Sequence, residues 1–428
     1  MPLTADPAGS ARIGEQAHAS RERWFKDARF GMFIHFGLFT LLGRDCWVQY
    51  LDQIPVNKYA KLKDQFNPVE FNAKEWVQIA KDAGQRYITL VSKHHEGFAL
   101  FNTKLSDFNI MRTPFGRDLC GELAEECHRQ GVTISFYFSM MDWYSPLYQP
   151  SLEPKTPVSQ DFIDFMHGQV RELCTHYGKL GVLWFDGQWD HSPEQWQVPK
   201  LIEMIHKLQP DALINNRLGR DADPDLLGDF NTPEVAGAGV PKKAGRMWEQ
   251  CTTLNDNWGY SPADTRFKTS RQVVHMLVRA VAGGMACHYG DPLPSGGNLL
   301  LNVGPMASGR IPAPEVTVLR EVGDWLKVNG ESIYGADSFS TMYQDGVFAT
   351  AKGDKVYLHV FDWVPGAGCD FWMLRIKDAK RAYFLETGQA AEFTRQYGFG
   401  IRLRIRNSNP KPSPDTIVVF EGVEAFPR

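Results

Sequence analysis

Residues 117–139 read RDLCGELAEECHRQGVTISFYFS, and this stretch carries the pattern from which the fold is read. Over 117–131 apolar residues recur at a helical period, and the run stops at a glycine suited to a helix C-terminus. TISFYFS (133–139) is short, β-branched and aromatic, which predicts a buried strand. The same order appears upstream, where FNAKEWVQIAKDAG (71–84) leads into YITLVSKHH (87–95). Further strands are predicted at FGMFIHFG (30–37), GVLWFDG (181–187), ALINNR (212–217), DFNTPE (229–234), WEQCTT (248–253) and GNLLLNVGP (297–305). Alternation repeated this often predicts a parallel sheet with right-handed crossovers, closed as a TIM-type (β/α)8 barrel. A doubly wound open sheet is the alternative, but no GxGxxG turn follows the first strand.

VTVLREVGDWLKVNGESIYGA (316–336) reads as a last helix with its exit loop. Beyond about residue 340 the pattern becomes short alternating segments, VYLHVFDW, FWMLRI, RAYFLE, GIRLRIR and TIVVFEG, separated by Gly, Pro, Asn and Asp. That predicts a small C-terminal antiparallel β-sandwich. The expected division is a lead-in over 1–20, a catalytic barrel over 21–339 and the sandwich over 340–428.

Composition narrows the function. A formal net charge of -4, with Lys and Arg scattered among acidic residues, argues against nucleic acid as a partner. No apolar run approaches the roughly 20 residues that span a bilayer, so no membrane partner is expected. The N-terminus lacks an apolar signal-like core. The 7 cysteines include no CxxC pair, so a mostly reduced chain is expected. It is either cytoplasmic or an exported protein whose leader lies outside this sequence. Twelve Trp and 27 Phe chiefly supply a large core, with some rings left to form stacking surfaces for sugars. Oligomeric state is not legible.

Polar residues gather at the C-terminal ends of the predicted strands: His35, Lys93, His94, His95, Asp186, Asn216, Arg217 and Glu234. Any one of them is as readily a helix cap as a functional group. Strand after strand ending the same way points to the mouth of a barrel, where barrel enzymes keep their active sites. Metal-dependent hydrolysis is disfavoured, because His35 stands alone and adjacent His94 and His95 would point to opposite sides of a strand. No metal or other cofactor is therefore expected. Ser or Cys catalysis lacks a GxSxG elbow or a catalytic-Cys context. Glycoside hydrolysis needs two carboxyl groups flanking a sugar, and Asp186 and Glu234 are the leading pair. Asp186 is framed by Leu183, Trp184, Phe185 and Gly187; Glu234 precedes the Gly/Ala-rich VAGAGV, a setting in which a carboxyl can act as an acid near neutrality. Glu249 is the rival acid, with Asp190 and Glu96 behind it.

At these residues the chain resembles the α-L-fucosidase family of retaining glycoside hydrolases. The resemblance runs in order through WFKDARFGMFIHFG, KHHEGF, GRDLCGEL, the WFDG segment, TPE, WEQCTTLNDNWGY, GGNLLLNVGP and NGESIYG, roughly residues 21–337. It implies that Asp186 is the nucleophile and Glu234 the general acid/base, with Glu249 in reserve. It also implies that His35, His94, His95 and Arg217 bind the sugar hydroxyls, that Trp47 and Tyr137 belong to the same pocket, and that Trp258 faces the fucose methyl. A fucosylated oligosaccharide is the implied substrate. Many family members carry Glu-Trp where this chain has Cys46-Trp47, which bears on fine substrate choice and not on the reaction class. A carbohydrate-binding protein on a decayed scaffold is the competing class, but both carboxyl groups are present. A third reading keeps the mechanism and changes the sugar to a galactose-like ring.

Overall fold

The computed structural model describes residues 21–148, 157–234, 241, 245–283, 296–339, 346–361, 363, 369–373, 376–396, 400–405 and 413–425. The lead-in expected over 1–20 lies outside these, as do Cys287 and parts of the loops that follow several strands.

Eight parallel strands form one sheet in the order β5-β4-β3-β2-β1-β8-β7-β6. They are β1 (Phe30–Ile34), β2 (Tyr87–Lys93), β3 (Thr133–Ser139), β4 (Val182–Asp186), β5 (Leu213–Ile214), β6 (Phe230–Asn231), β7 (Met247–Thr253) and β8 (Asn298–Val303). A parallel bridge between Asn215 and Phe230 joins the two edge strands, so the sheet runs round to meet itself. The expected (β/α) barrel is what the chain forms.

Helices α1 (Ala73–Asp82), α2 (Leu119–Gln130), α3 (Gln160–His176), α4 (Val198–Leu208), α5 (Ser270–Ala282) and α6 (Ala313–Asn329) lie in the connections and after β8. Local chemistry sets their ends. Asn72, Asp118, Ser159 and Thr269 each accept a backbone N–H of the first turn, and Gly131 ends α2 in the left-handed region.

Two predicted strands are shorter than their sequence runs, because side chains take over the ladder. The Asn215 amide accepts from Phe185 N at 2.7 Å and donates to Phe185 O at 2.9 Å, standing in for a peptide group. Asp229 Oδ2 accepts from Ile214 N at 2.8 Å. The chain is then free to turn Arg217 and Glu234 toward the barrel mouth.

Large side chains fill the barrel: Phe33, Tyr87, Tyr137, Trp184, Phe230 and Leu300 belong to one buried cluster. Gly31 makes this packing possible, since a Cβ there would sit 2.4 Å from the Tyr87 ring. Phe25, in a helical segment over 21–28, closes the floor against Phe230 at 4.8 Å between ring centroids.

After α6 the chain is antiparallel. Asp337–Ser338, Val347–Lys352, Lys355–Phe361, Arg381–Phe384 and Asp415–Glu421 form a five-stranded sheet, accompanied by a three-stranded and a two-stranded sheet. It packs on α5, where His275 stacks on Phe361 at 3.7 Å and Arg279 lies over the same ring. Thr350, His359 and Asp415 form a buried polar chain within the sheet. No helix among the described residues is long and apolar enough to cross a membrane. The cysteines whose side chains are described are unpaired and buried.

Candidate active site

Asp186 is the last residue of β4 and is 9% exposed. Each of its oxygens has a donor. Arg217 Nη1 donates to Oδ1 at 2.9 Å, and the Tyr137 hydroxyl donates to Oδ2 at 2.9 Å. Burial alone pushes this carboxyl up, but the Arg217 charge and the two hydrogen bonds outweigh it, and the pKa falls to about 2. Asp186 is therefore ionised throughout the neutral range. Gly187 follows at φ 70°, and a Cβ there would meet Ser139 Oγ and Met141 at 3.0 Å. The glycine lets the chain pass close to the neighbouring strand.

Arg217 joins the two carboxyl groups singled out from the sequence. Its Nη2 donates to Glu234 Oε2 at 2.9 Å while Nη1 holds Asp186. Nε and Nη2 also donate to the Thr232 hydroxyl (3.1 Å) and carbonyl (3.2 Å), which fixes the plane of the guanidinium. Beneath it lies the Trp184 ring, 4.7 Å from the guanidinium carbon. Contacts on neighbouring guanidinium nitrogens keep the nearer oxygens of the two carboxyls within about 8 Å. The Glu234 side chain is 41% exposed, on the solvent side of the site.

The three histidines converge. His94 and His95 follow the end of β2, after a register shift between Val91 and Lys93, and their ring centroids are 4.1 Å apart. The expectation that they point to opposite sides fails, because both residues lie beyond the extended strand. His35 lies 5.8 Å from the His94 ring. No cluster of metal-ligating side chains occurs among the described residues.

Hydrogen bonds fix two of the tautomers. Asn302 donates its amide N–H to the Trp258 carbonyl at 2.7 Å, so its oxygen accepts from His35 Nδ1 at 2.6 Å. Ser139 donates its hydroxyl proton to the Met141 carbonyl at 2.9 Å, so its oxygen accepts from His95 Nδ1 at 2.7 Å. Both rings then carry a bare Nε2. Burial, with His94 adding, lowers the His35 pKa to about 3, and burial pushes His95 well down. The two rings are neutral acceptors suited to sugar hydroxyls.

His94 stacks on Tyr137 at 5.7 Å and 8° between planes, and its Nδ1 faces Glu96 Oε2 at 3.4 Å. The Trp258 ring lies 4.9 Å from the His35 ring, tilted by 37°. Its loop is held by Asp45, whose Oδ1 accepts from Trp258 N (3.0 Å) and Gly259 N (2.9 Å). Trp47 packs against His95 at 5.0 Å. Cys46 is buried, and burial holds its thiol neutral by pushing its pKa well up.

The rival carboxyls sit elsewhere. Glu249 lies inside the barrel, 1% exposed, accepting from the Tyr87 hydroxyl and from Trp184 Nε1 (3.1 Å). It is screened from the mouth by Trp184, and burial raises its pKa to about 7 against the pull of those two donors. Asp190 is buried and accepts from Tyr148. The partners Ser139, Asn302 and Thr232 were not singled out in the sequence, although each is a polar residue in or just after an apolar strand.

Known proteins resemble this chain over most of its length. The family model described as alpha-L-fucosidase matches residues 10–331. The alpha-L-fucosidase of Dictyostelium discoideum is 30% identical over 379 residues, covering 79% of this chain and 77% of that one. Among solved structures, alpha-L-fucosidase isoenzyme 1 from Paenibacillus thiaminolyticus superposes with a TM-score of 0.83 at 35% identity, covering 95% of this chain and 100% of that one. A Bacteroides thetaiotaomicron alpha-L-fucosidase, solved as a trapped covalent intermediate in complex with 2-fluoro-fucosyl fluoride, superposes at 0.82 with 27% identity, covering 96% of each chain.

Proposed function

Since the chain belongs to the α-L-fucosidase family of glycoside hydrolases, we propose that it removes terminal α-linked L-fucose from oligosaccharides or glycoconjugates with retention of configuration. The observation that carries this reading is the arginine bridge: Arg217 binds Asp186 and Glu234 from adjacent nitrogens at 2.9 Å each.

In the first step an Asp186 oxygen attacks the anomeric carbon while the bond to the leaving oxygen breaks. Glu234 gives that oxygen its proton, and a covalent fucosyl-aspartate forms. In the second step Glu234 takes a proton from water, the water oxygen attacks the anomeric carbon, and the bond to Asp186 breaks. A pKa of about 2 keeps Asp186 ready as a nucleophile. Glu234, exposed on the solvent side, is reachable by both the leaving group and the incoming water. The trapped covalent intermediate of the Bacteroides relative supports a two-step course here. His35 and His95 accept from the fucose hydroxyls, Arg217 and His94 complete the polar side, and Trp258 lies against the C5 methyl.

The test is a proton NMR time course on a mixture of α-1,2-, α-1,3- and α-1,4-fucosylated oligosaccharides. Early α-L-fucose supports retention, and the order of disappearance gives the linkage. Early β-L-fucose removes the nucleophile role from Asp186.

A further inference from the structure

Exposed aromatic rings are concentrated in one sector of the barrel mouth. Tyr50 (65% exposed) follows β1, Tyr144 (38%) follows β3 and Trp189 (38%) follows β4. Two of them are the outer leaves of a stacked array. Trp189 lies over Trp47 at 6.1 Å and 20° between planes, and Tyr50 lies over Trp143 at 5.9 Å and 29°. Trp47 and Trp143 meet edge to face at 5.5 Å, so the two stacks form one continuous surface.

This surface adjoins the site. Trp47, Trp143 and Trp189 lie 5.0, 5.5 and 5.4 Å from the His95 ring, and His95 Nε2 is 3.8 Å from Asp186. Four of the residues assigned to the fucose, His35, His94, His95 and Tyr137, are at most 4% exposed. If the fucose occupies this enclosed pocket, as proposed above, the rest of the substrate lies toward the rim. Large aromatic rings left in water at a rim mark a binding surface. A pyranose presents an apolar C–H face of about one ring's area, which a flat indole or phenol covers while its hydroxyls stay solvated.

Resting on the fucosidase reading above, we propose that Trp189 and Tyr50, backed by Trp47 and Trp143, form a leaving-group subsite. It stacks the apolar face of the hexopyranose to which the fucose is attached. The surface is ring-shaped and apolar, so it selects a saccharide over a small or charged leaving group.

The test compares 3-fucosyllactose with α-L-fucosyl fluoride, whose leaving group is too small to reach the rim. Relative to the unaltered protein, Trp189→Ala and Tyr50→Ala are expected to lower the ratio of kcat/KM on the oligosaccharide to that on the fluoride by tenfold or more. Equal losses on both substrates, or no loss on the oligosaccharide, overturn the subsite. Binding is read separately, by saturation-transfer NMR with fucose-free lactose. Transfer to the lactose ring protons is expected with the unaltered protein and is expected to be lost in both variants; transfer that persists in the variants overturns the proposal. If neither fucoside is cleaved but lactose transfer depends on Trp189 and Tyr50, the fucosidase reading fails while the saccharide surface stands.

Discussion

Nε2 of His95 stands 3.8 Å from Oδ2 of Asp186, and neither atom has a proton to give. Ser139 holds the His95 proton on the opposite nitrogen, and Asp186 is ionised. Two acceptors facing each other repel weakly, and the free site tolerates this because Arg217 and Tyr137 hold the carboxylate in place. A sugar hydroxyl beside them can donate to one of the two atoms and relieve the mismatch. With Asp186 as the proposed nucleophile, the hydroxyl nearest it is the one next to the anomeric carbon, whose hydrogen bonds strengthen as positive charge develops in the ring.

On the proposed fucosidase reading, His95 and the fucose 2-hydroxyl are expected to act as a pair. His95→Ala should lower kcat/KM on a fucoside by about 10–100-fold, the loss expected of a 2-hydroxyl hydrogen bond that strengthens in the transition state. A 2-deoxyfucoside should suffer a similar loss with the unaltered protein and little more with the variant. Fully additive losses in this double comparison would sink the pairing.

Arg217 should resist conservative replacement. Lysine presents one ammonium where the guanidinium contacts Asp186, Glu234 and Thr232 from separate nitrogens. Arg217→Lys should lower kcat by roughly two to three decades, about 3–4 kcal/mol. It should also raise the Asp186 pKa from about 2 toward the ordinary carboxyl range and bring a new acid limb into the kcat/KM profile. A variant with an unchanged acid limb would show that Arg217 does not set the charge of Asp186.

The nucleophile role proposed for Asp186 has a direct test. Asp186→Gly should lower kcat by about four decades or more, and azide supplied in solution should restore turnover through the vacated space. On the retaining course, attack from the face Asp186 occupies yields the β-fucosyl azide. An α product would place the nucleophile elsewhere.

Most of this architecture was legible because it rests on local pattern. TISFYFS matches β3 over Thr133–Ser139, and the Gly131 stop is the left-handed end of α2. Asp186, Arg217 and Glu234 converge because barrel strands place their C-terminal ends on one face, a rule that strand recognition alone brings into play. What stayed hidden depends on contacts across the barrel. Nothing near Glu249 in the sequence says that Trp184, 65 residues earlier, covers it. His94 and His95 were read as opposed because the end of an apolar run does not reveal where the chain leaves the strand. Nothing in the sequence marks Ser139 or Asn302, and only their distances to His95 and His35 give them a purpose.

Glu249 should make stability depend on pH. Folding raises its pKa from 4.5 to about 7, so the folded chain keeps a proton that the unfolded chain releases. Its contribution is fully present below about pH 4.5 and is lost as pH rises through 7. The shift corresponds to about 3 kcal/mol. Glu249→Gln removes that titration while keeping an oxygen for one of the two donors. Urea unfolding at pH 5 and pH 8 should show the difference in stability moving in favour of the variant at the higher pH by up to about 3 kcal/mol. A difference that stays constant across that range would mean that the carboxyl titrates normally.

Sugar choice should depend on Asp45, whose carboxylate holds the backbone of Trp258. Asp45 adopts φ 124°, a conformation rarely taken by a side-chain-bearing residue, and its carboxylate accepts the N–H groups of Trp258 and Gly259. Backbone strain of this kind costs about 1–3 kcal/mol and persists where the surroundings enforce it. Here the enforced geometry sets the Trp258 ring beside His35, on the side proposed to meet the fucose methyl. An α-L-galactoside differs from the fucoside by CH2OH in place of CH3, so the ratio of kcat/KM on the two reports the fit of that wall. Trp258→Ala should cut the preference for fucoside by about 10–100-fold, the scale on which an apolar pocket discriminates. Asp45→Gly accepts the backbone angle but loses the acceptor, and should cut the preference by a smaller factor. Asp45→Asn keeps an acceptor oxygen and tolerates positive φ, and should preserve the preference. If Asp45→Gly retains the full preference, Trp258 is held by its ring contacts alone and the strained aspartate has no part in choosing the sugar.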